Sequence, residues 1–162
     1  MLDKLKCKEA IYLGVENIVQ HWLKSRQELI IQFCEFSQAE WSNSEENAEK
    51  IALFCQALMD YVSTGHFEVY DQLLNEAKAF DDTLSVTTQE IHAKLTLNAS
   101  ELVKFNDIFA SKEVMTLSKT KQLLCQIGEM LDKRFLLEDQ LIQILHKSHE
   151  SEAANLALMI PS

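Results

Sequence analysis

The scarcity of residues that interrupt regular structure is the strongest constraint on the fold of this chain. Only three glycines and one proline occur in 162 residues. A sheet protein needs many turns, and turns draw heavily on these two residue types. The sequence therefore predicts an all-α protein built from long helices with few connections.

The spacing of apolar residues indicates where those helices lie. Apolar side chains recur every three or four positions through most of the chain, which is typical of helices that bury one face. The predicted helices cover residues 4–37, 45–63, 66–78, 87–110 and 114–148. Because the second and third form one rod broken near Gly65, we expect four long rods in an antiparallel up-and-down four-helix bundle.

Two short motifs predict where helices begin, and the end of the chain predicts where the bundle stops. Ser42 with Glu45, and Thr87 with Glu90, have the spacing of capping boxes. Residues 151–162 show little periodicity and contain the single proline, Pro161. We expect one domain over residues 1–150 and a flexible tail after it.

Composition and charge exclude several classes of protein. The net charge of −10 argues against a nucleic-acid-binding protein, which usually needs a basic face. It is compatible with a basic protein partner, although acidity also serves solubility alone. No apolar run reaches the length of a transmembrane helix, and the charged start, MLDKLKCKEA, lacks the core of a signal peptide. We therefore expect a cytoplasmic protein that does not contact the membrane.

The four cysteines do not form a recognisable site. They are scattered, with no CxxC pair and no zinc-finger spacing. Cys34, Cys55 and Cys125 have apolar neighbours in the sequence, so we expect them to be buried, reduced thiols.

The segment FCQALMDYVSTGHFEVYDQLL, residues 54–74, interrupts its own helical pattern. Apolar residues at helical spacing run to Val62 and resume at Val69, with Gly65 between them. Glycine is unfavourable inside a helix and favourable just after its end. This pattern predicts that one helix ends at Thr64-Gly65 and that another begins directly after it.

Charged residues also interrupt the apolar stripes of two helices. Glu138 falls within the stripe of the last helix, and Arg26 within that of the first. An unpaired charge cannot stay dry in a bundle, so these residues either pair, with Asp60 as a possible third member, or line a groove. Alternatively, both lie at the edge of their stripes and extend outward into water.

The sequence lacks the common motifs of catalysis and cofactor binding. No phosphate-binding loop, GxSxG or HExxH motif is present, and no histidine follows a glutamate at the spacing of di-iron bundles. His146 and His149 have metal-ligand spacing but are better interpreted as cations at a helix end. His66 lacks a partnered nucleophile and is better interpreted as a cap or packing residue. We predict no catalytic residue, no metal and no cofactor.

Three groups of residues resemble one known family in order and spacing. The first is the 54–74 segment; the second comprises Ile127-Gly128-Glu129 and the run RFLLED at residues 134–139; the third is Trp22-Leu23 with Arg26 and Leu29. Together they resemble the Rsd/AlgQ family, the regulators of sigma D, which are bacterial anti-sigma factors. The resemblance covers most of residues 18–145.

The resemblance implies a function and a set of residues. A member of this family binds the primary sigma factor, mainly its C-terminal domain 4, and blocks recognition of the promoter −35 element and binding to core RNA polymerase. Alternative sigma factors are then favoured. It implies a monomer that forms a one-to-one complex. The partner-binding residues implied by the match are Asp60, Tyr61, Ser63, Gly65, Phe67, Tyr70 and Arg134, with Arg26 and Glu138 as polar support in the core.

Two other classes of function remain open at this point. One is a helical-bundle interaction protein for another cytoplasmic regulatory partner. The other is a bundle enzyme or cofactor carrier, which the missing ligand motifs make the weaker alternative.

Overall fold

The chain folds into helices and short connections throughout its described part. The computed structural model describes residues 1–38, 45–111 and 117–160. Its α-helices are α1 Leu2–Gln38, α2 Glu45–Thr64, α3 Tyr70–Ala79, α4 Val86–Ala110, α5 Leu117–Leu145 and α6 Glu150–Met159. A π-helical segment, Gly65–Val69, joins α2 to α3, and a 3-10 turn, Lys147–His149, joins α5 to α6. The all-α prediction is confirmed, since no strand occurs in these residues.

Helix α2 ends at Thr64, as predicted, but Gly65 does not cap it and does not interrupt the rod. The chain continues as a π-helix, and no glycine in the described residues has a positive φ. The rod ends later, where Asp81 has a φ of 58°. The amide of Asp82 donates to the carbonyl of Ala77 at 2.9 Å, and that of Asp81 donates to Lys78 at 3.2 Å. This is a Schellman ending, with aspartate in the left-handed position that glycine usually takes.

The start of α4 differs slightly from the predicted capping box. The N-cap is Ser85, whose hydroxyl accepts from the Thr88 amide at 3.1 Å. Thr87 therefore lies inside the helix. The other predicted box depends on Ser42, which lies outside the described residues.

The order of contacts shows how the long helices run. Aromatic pairs between α1 and the α2–α3 rod are Phe36 with Phe54, Trp22 with Tyr61 and Tyr12 with Phe80. Residue numbers fall on one side as they rise on the other, so α1 is antiparallel to this rod. Pairing of Arg26 with Glu138 and of Glu16 with His146 gives the same relation between α1 and the end of α5. The complete up-and-down order of the four rods stays a prediction.

The end of the chain has more structure than the flexible tail we expected. Helix α6 buries Ala153 and Leu156 against Tyr12 and Phe80, in a small cluster separate from the main core. Apolar burial against α1 and the end of α3 gives this helix a docking site that its weak sequence periodicity did not indicate.

The expected burial of three cysteines is correct for one of them. Cys55 is buried, whereas Cys34 and Cys125 are exposed on the outer faces of their helices, because apolar neighbours in sequence lie on other faces of a helix. Within the described ranges, no helix has the length and apolarity that crossing a membrane requires.

Candidate protein-binding site

The π-helical segment brings two distant tyrosines to the same side of the α2–α3 rod. Tyr61 and Tyr70 are nine residues apart, and an α-helix turns about 100° per residue, which would put them on opposite faces. In this segment the Tyr70 amide bonds to the carbonyl of Gly65, five residues earlier. The wider turn absorbs about one residue and leaves the tyrosines roughly 80° apart. Both can therefore reach Glu138 of α5.

Gly65 is required here for close packing rather than for a turn. A Cβ atom at this position would lie 2.7 Å from Cζ2 of Trp22 and 3.5 Å from Nη2 of Arg134. The Trp22 indole stacks on Tyr61, with ring centroids 5.2 Å apart, and its Nε1 donates to the Tyr61 carbonyl at 3.4 Å. The glycine thus allows α1 to approach the rod closely enough for this stack.

Glu138 is fully buried and is contacted through both carboxylate oxygens. Oε2 accepts hydrogen bonds from the Tyr61 hydroxyl at 2.5 Å and from Arg26 Nη2 at 3.1 Å. Oε1 accepts from the Tyr70 hydroxyl at 3.2 Å and lies 2.7 Å from Arg134 Nε. Each tyrosine also accepts from an arginine: Tyr61 from Arg26 at 3.0 Å and Tyr70 from Arg134 at 2.9 Å. The predicted contact between Arg26 and Glu138 is therefore present, on α1 and α5.

Two further residues connect this network to α4 and to the surface. Asn98 of α4 accepts from Arg134 Nη1 at 3.2 Å and donates to the carbonyl of Met130 at 2.9 Å. Arg26 also donates to the exposed carboxylate of Asp139 at 2.5 Å. The two guanidinium groups and the two carboxylates balance in charge, which lowers the cost of burying them together.

Burial sets the protonation of the groups in the network. Desolvation raises the pKa of Glu138 above its ordinary value, although Arg134, the Tyr61 hydroxyl and Arg26 all act to lower it. Desolvation and then the Glu138 charge raise the pKa of both Tyr61 and Tyr70 far above 10. Both hydroxyls therefore keep their protons and donate them to the carboxylate.

Above this network, two adjoining grooves lie on the outer face of α1 and α2. The smaller has a volume of about 220 Å³, and its wall includes Tyr61 and Glu28. The larger has a volume of about 730 Å³, and its wall includes Leu53 and Glu35. Asp60 lines both grooves and is exposed. Together they form one surface, called here the Asp60 surface, in which three carboxylates and the ammonium group of Lys50 surround an apolar floor.

The residues that the sequence assigned to partner binding divide into two groups. Asp60, Ser63 and Phe67 are exposed, and 71 % of the Phe67 surface is accessible. The buried residues are Tyr61, Gly65, Tyr70 and Arg134. The side chains of Tyr61, Tyr70 and Arg134 point into the bundle towards Glu138, and Gly65 packs against Trp22. A partner therefore cannot touch Gly65, Tyr70 or Arg134 without opening the core. Tyr61 meets the smaller groove at its edge.

A second buried carboxylate, Glu76 of α3, was not identified from the sequence. His146 Nδ1 lies 2.6 Å from Glu76 Oε2, and His149 Nδ1 lies 2.9 Å from Oε1. The other ring nitrogen of His146 bonds to Glu16 of α1. The two histidines do follow the end of α5, but they are buried in an ionic cluster with Glu76 instead of lying near a frayed terminus. The position of Glu76 on the apolar stripe of α3 is the sequence signal that could have identified this cluster.

The structure gives no support to a metal centre in these clusters. Among the residues it describes, no group of three or more histidine, cysteine, aspartate or glutamate side chains could hold a metal ion. His66 packs against Phe67 and Tyr70, with ring centroids 5.0 and 6.2 Å away, in agreement with a packing role.

Comparison with known proteins gives one consistent family. Residues 1–146 match the family described as regulator of RNA polymerase sigma(70) subunit, Rsd/AlgQ. A protein of Yersinia pseudotuberculosis named Regulator of sigma D is 34 % identical over 162 residues, covering 97 % of this chain and 95 % of its own. Proteins of the same name from Yersinia enterocolitica and Pectobacterium carotovorum are 31 % and 28 % identical, over 88 % and 90 % of this chain and 89 % and 99 % of their own. No solved structure gives a significant match.

Proposed function

The chain belongs to the Rsd/AlgQ family of regulators of the RNA polymerase sigma(70) subunit, and we propose that it is an anti-sigma factor that binds the primary sigma factor. In this proposal the main target is the C-terminal domain 4 of sigma. Occupying that domain prevents it from reading the promoter −35 element and from docking on core RNA polymerase. Housekeeping transcription then falls, and alternative sigma factors compete better for the core enzyme.

The Asp60 surface is the single observation that carries this proposal. A domain that reads DNA is basic, because it must approach phosphate groups. Glu28, Glu35 and Asp60 are exposed carboxylates around two connected grooves on the outer face of α1 and α2, and they outnumber the one lysine there, Lys50. A carboxylate can accept two parallel hydrogen bonds from an arginine, which favours a basic partner over an acidic one.

The roles of the motif residues follow from their exposure. In this proposal the exposed ones contact sigma: Asp60, Ser63 and Phe67. The buried ones hold α1, α2, α3 and α5 in the relative positions that form the surface: Tyr61, Gly65, Tyr70, Arg134, Arg26 and Glu138. Apart from Tyr61, which also lines the smaller groove, mutating the second group would weaken binding only through the fold.

The proposed mechanism is occlusion, without chemistry. The protein acts in the cytoplasm as a monomer in a one-to-one complex, with no cofactor and no direct contact to nucleic acid. Its frame is a single antiparallel up-and-down bundle over residues 1–150. Because long-range attraction between an acidic and a basic surface is screened by salt, the association should be fast and sensitive to ionic strength.

Titration calorimetry with the isolated domain 4 of the host's primary sigma factor tests the proposal. We expect one-to-one binding that weakens as the salt concentration rises. Absence of binding at low salt would overturn the function. Binding that does not depend on salt would remove charge complementarity from its explanation.

The variant Asp60→Arg tests the surface itself. Reversing this charge would oppose two like charges at the centre of the interface, which can cost several kcal/mol of binding free energy. The matched control is Asp107→Arg, which makes the same charge change at an exposed position of α4 outside both grooves. We expect both variants to stay helical by circular dichroism and only Asp60→Arg to lose binding. Equal losses would show that net charge, and not this surface, is responsible.

A further inference from the structure

His146 lies at the junction of four elements, with each ring nitrogen against a different carboxylate. It follows α5 directly and is fully buried. Nδ1 contacts Glu76 of α3, and Nε2 contacts Glu16 of α1. The ring also stacks on Tyr12 of α1, with centroids 4.5 Å apart.

With both carboxylates ionised, this geometry requires a protonated ring. Ionised carboxylates only accept hydrogen bonds, so both ring nitrogens must carry a proton to bond to Glu16 and Glu76 at once. A neutral imidazole has one N–H group and one lone pair. Without its second proton, the ring would turn a lone pair towards one of the two carboxylates and repel it.

The same cluster positions the last helix. Glu76 also accepts from His149 Nδ1, and His149 stacks on Phe80 with centroids 4.5 Å apart. His149 is the residue from which α6 begins, and Phe80 belongs to the apolar cluster that receives Ala153 and Leu156 of α6. The ionic cluster and the docking site of α6 are therefore joined by the contact between His149 and Phe80.

We propose that His146 is a proton-dependent latch that holds α6 and the first half of α1 against the end of α3. With the proton bound, the imidazolium joins Glu16 to Glu76 and closes the 3-10 turn onto α3. When the proton is lost, the two carboxylates lose their common cation and the docking of α6 weakens. The latch is independent of the Asp60 surface.

The titratable groups around the latch come from every element packed against it. On α1 these are Lys8, Tyr12 and Glu16; on α3, Glu76; in the following loop, Asp81 and Asp82; in the turn and α6, Lys147, His149, Glu150 and Glu152. Lys147 lies 3.5 Å from Glu16, and Lys8 lies 3.6 Å from Asp81 and 3.5 Å from Glu152. The carboxylates around His146 outnumber the lysines, which favours the charged form of the ring.

The pH range of the latch follows from two pKa shifts of opposite sign. Burial acts to lower the pKa of His146, but hydrogen bonds to Glu76 and Glu16 raise it above its ordinary value of 6.5. The hydrogen bond from His146 lowers the pKa of Glu16 below 4.5. A raised histidine pKa stabilises the folded cluster fully below pH 6.5, and this stabilisation is lost as pH rises through the folded value. The lowered Glu16 pKa stabilises the folded cluster above pH 4.5, and this stabilisation is lost as pH falls through the pKa of Glu16 in the folded protein.

Hydrogen exchange on the full chain from pH 6 to pH 9 tests the latch. After correction for intrinsic exchange rates, we expect the opening constant of α6 amides to rise about ten-fold for each unit by which folding raises the pKa of His146. Amides of α4 should show no such rise. In His146→Gln the α6 profile should be flat and already raised at pH 6, whereas His21→Gln, an exposed position on α1, should keep the wild-type profile. A pH-independent α6 opening constant in the wild type would overturn the proposal.

A second variant and a direct titration keep the test decisive if His146→Gln misfolds. Glu16→Gln changes a partly exposed carboxylate and leaves Glu76 in place. We expect it to shift the midpoint of α6 release to lower pH, because it removes one of the two partners that retain the proton. Nuclear magnetic resonance titration of the His146 ring should show both nitrogens protonated at pH 6 in the wild type. A neutral ring at that pH would also exclude the latch.

Discussion

Two buried carboxylates hold this molecule together with cations of different kinds. Glu138 and Glu76 are both fully buried, and each is contacted through both oxygens. Arginines and tyrosines surround Glu138, in the middle of the bundle. Two histidines surround Glu76, where α5 gives way to α6.

This difference in the type of cation determines which part of the fold depends on pH. A guanidinium group stays charged at every physiological pH, whereas an imidazole changes charge near neutrality. The Glu138 network therefore has permanent cations beneath the Asp60 surface. The Glu76 cluster holds its helix only while His146 keeps a proton. Comparing the two clusters by mutation separates structural support from a conditional contact.

The largest expected loss of stability follows from removing the carboxylate in the arginine network. Glu138→Leu would leave Arg134, which is fully buried, and Arg26 without their shared partner. Stranding a buried charge costs about 3–5 kcal/mol, so we expect a loss of that size in the free energy of unfolding by urea. The matched control is Glu129→Leu, at an exposed position on the same helix, with an expected change within about 0.5 kcal/mol.

A double-mutant cycle with Arg26→Met shows whether the loss belongs to the pair. Two apolar side chains can pack where a single charge cannot, so Glu138→Leu with Arg26→Met should lose less stability than the sum of the single variants. Simple additivity would mean that the ion pair of 3.1 Å contributes no coupling energy.

An intermediate effect is expected at Gly65, which borders the same network. In Gly65→Ala the new Cβ atom would lie 2.7 Å from the Trp22 ring, and such overpacking costs about 1–3 kcal/mol. Gly14 is the matched control, because a Cβ atom there meets nothing within 4 Å. Gly14→Ala should stabilise α1 by about 0.5–1 kcal/mol in the same urea experiment. A stabilising Gly65→Ala would show that the close approach of α1 is not needed.

A smaller, pH-dependent effect should distinguish the histidine cluster. Folding raises the pKa of His146, so the free energy of unfolding should fall as pH rises above about 6.5, by up to about 1.4 kcal/mol for each unit of the shift. His146→Gln should remove this slope, and Arg26→Met should leave it unchanged. The same slope in both variants would assign it to other groups.

The smallest effect is expected at the rim of the arginine network. Asp139 accepts from Arg26 at 2.5 Å, but 59 % of its side chain is exposed. Solvent-exposed ion pairs contribute about 0–1 kcal/mol, so Asp139→Asn should change the free energy of unfolding by less than 1 kcal/mol. A loss as large as that of Glu138→Leu would make the rim pair part of the buried network.

Much of the fold was determined by local sequence. Few glycines and prolines and a three-to-four apolar spacing predict long helices, and the predicted first helix, 4–37, agrees closely with Leu2–Gln38. Charges on the apolar stripes at Arg26 and Glu138 indicated a pair across the bundle. Family resemblance in the 54–74 segment identified the region that contains Asp60. All of these signals depend on residues close together in the chain or on side-chain type.

Only the tertiary structure decided how distant residues use those helices. By its local helix preference Gly65 would interrupt a helix. Its close approach to the indole of Trp22, 43 positions earlier, instead makes it a packing residue within a continuous rod. The direction of Tyr70 depends on one extra residue in a π-helical turn, which no periodicity shows. His146 retains its proton because it donates hydrogen bonds to Glu16 and Glu76, which lie on two other helices. A residue's pattern in the sequence sets the helix and the face, but its burial, partner and protonation depend on which elements pack against that face.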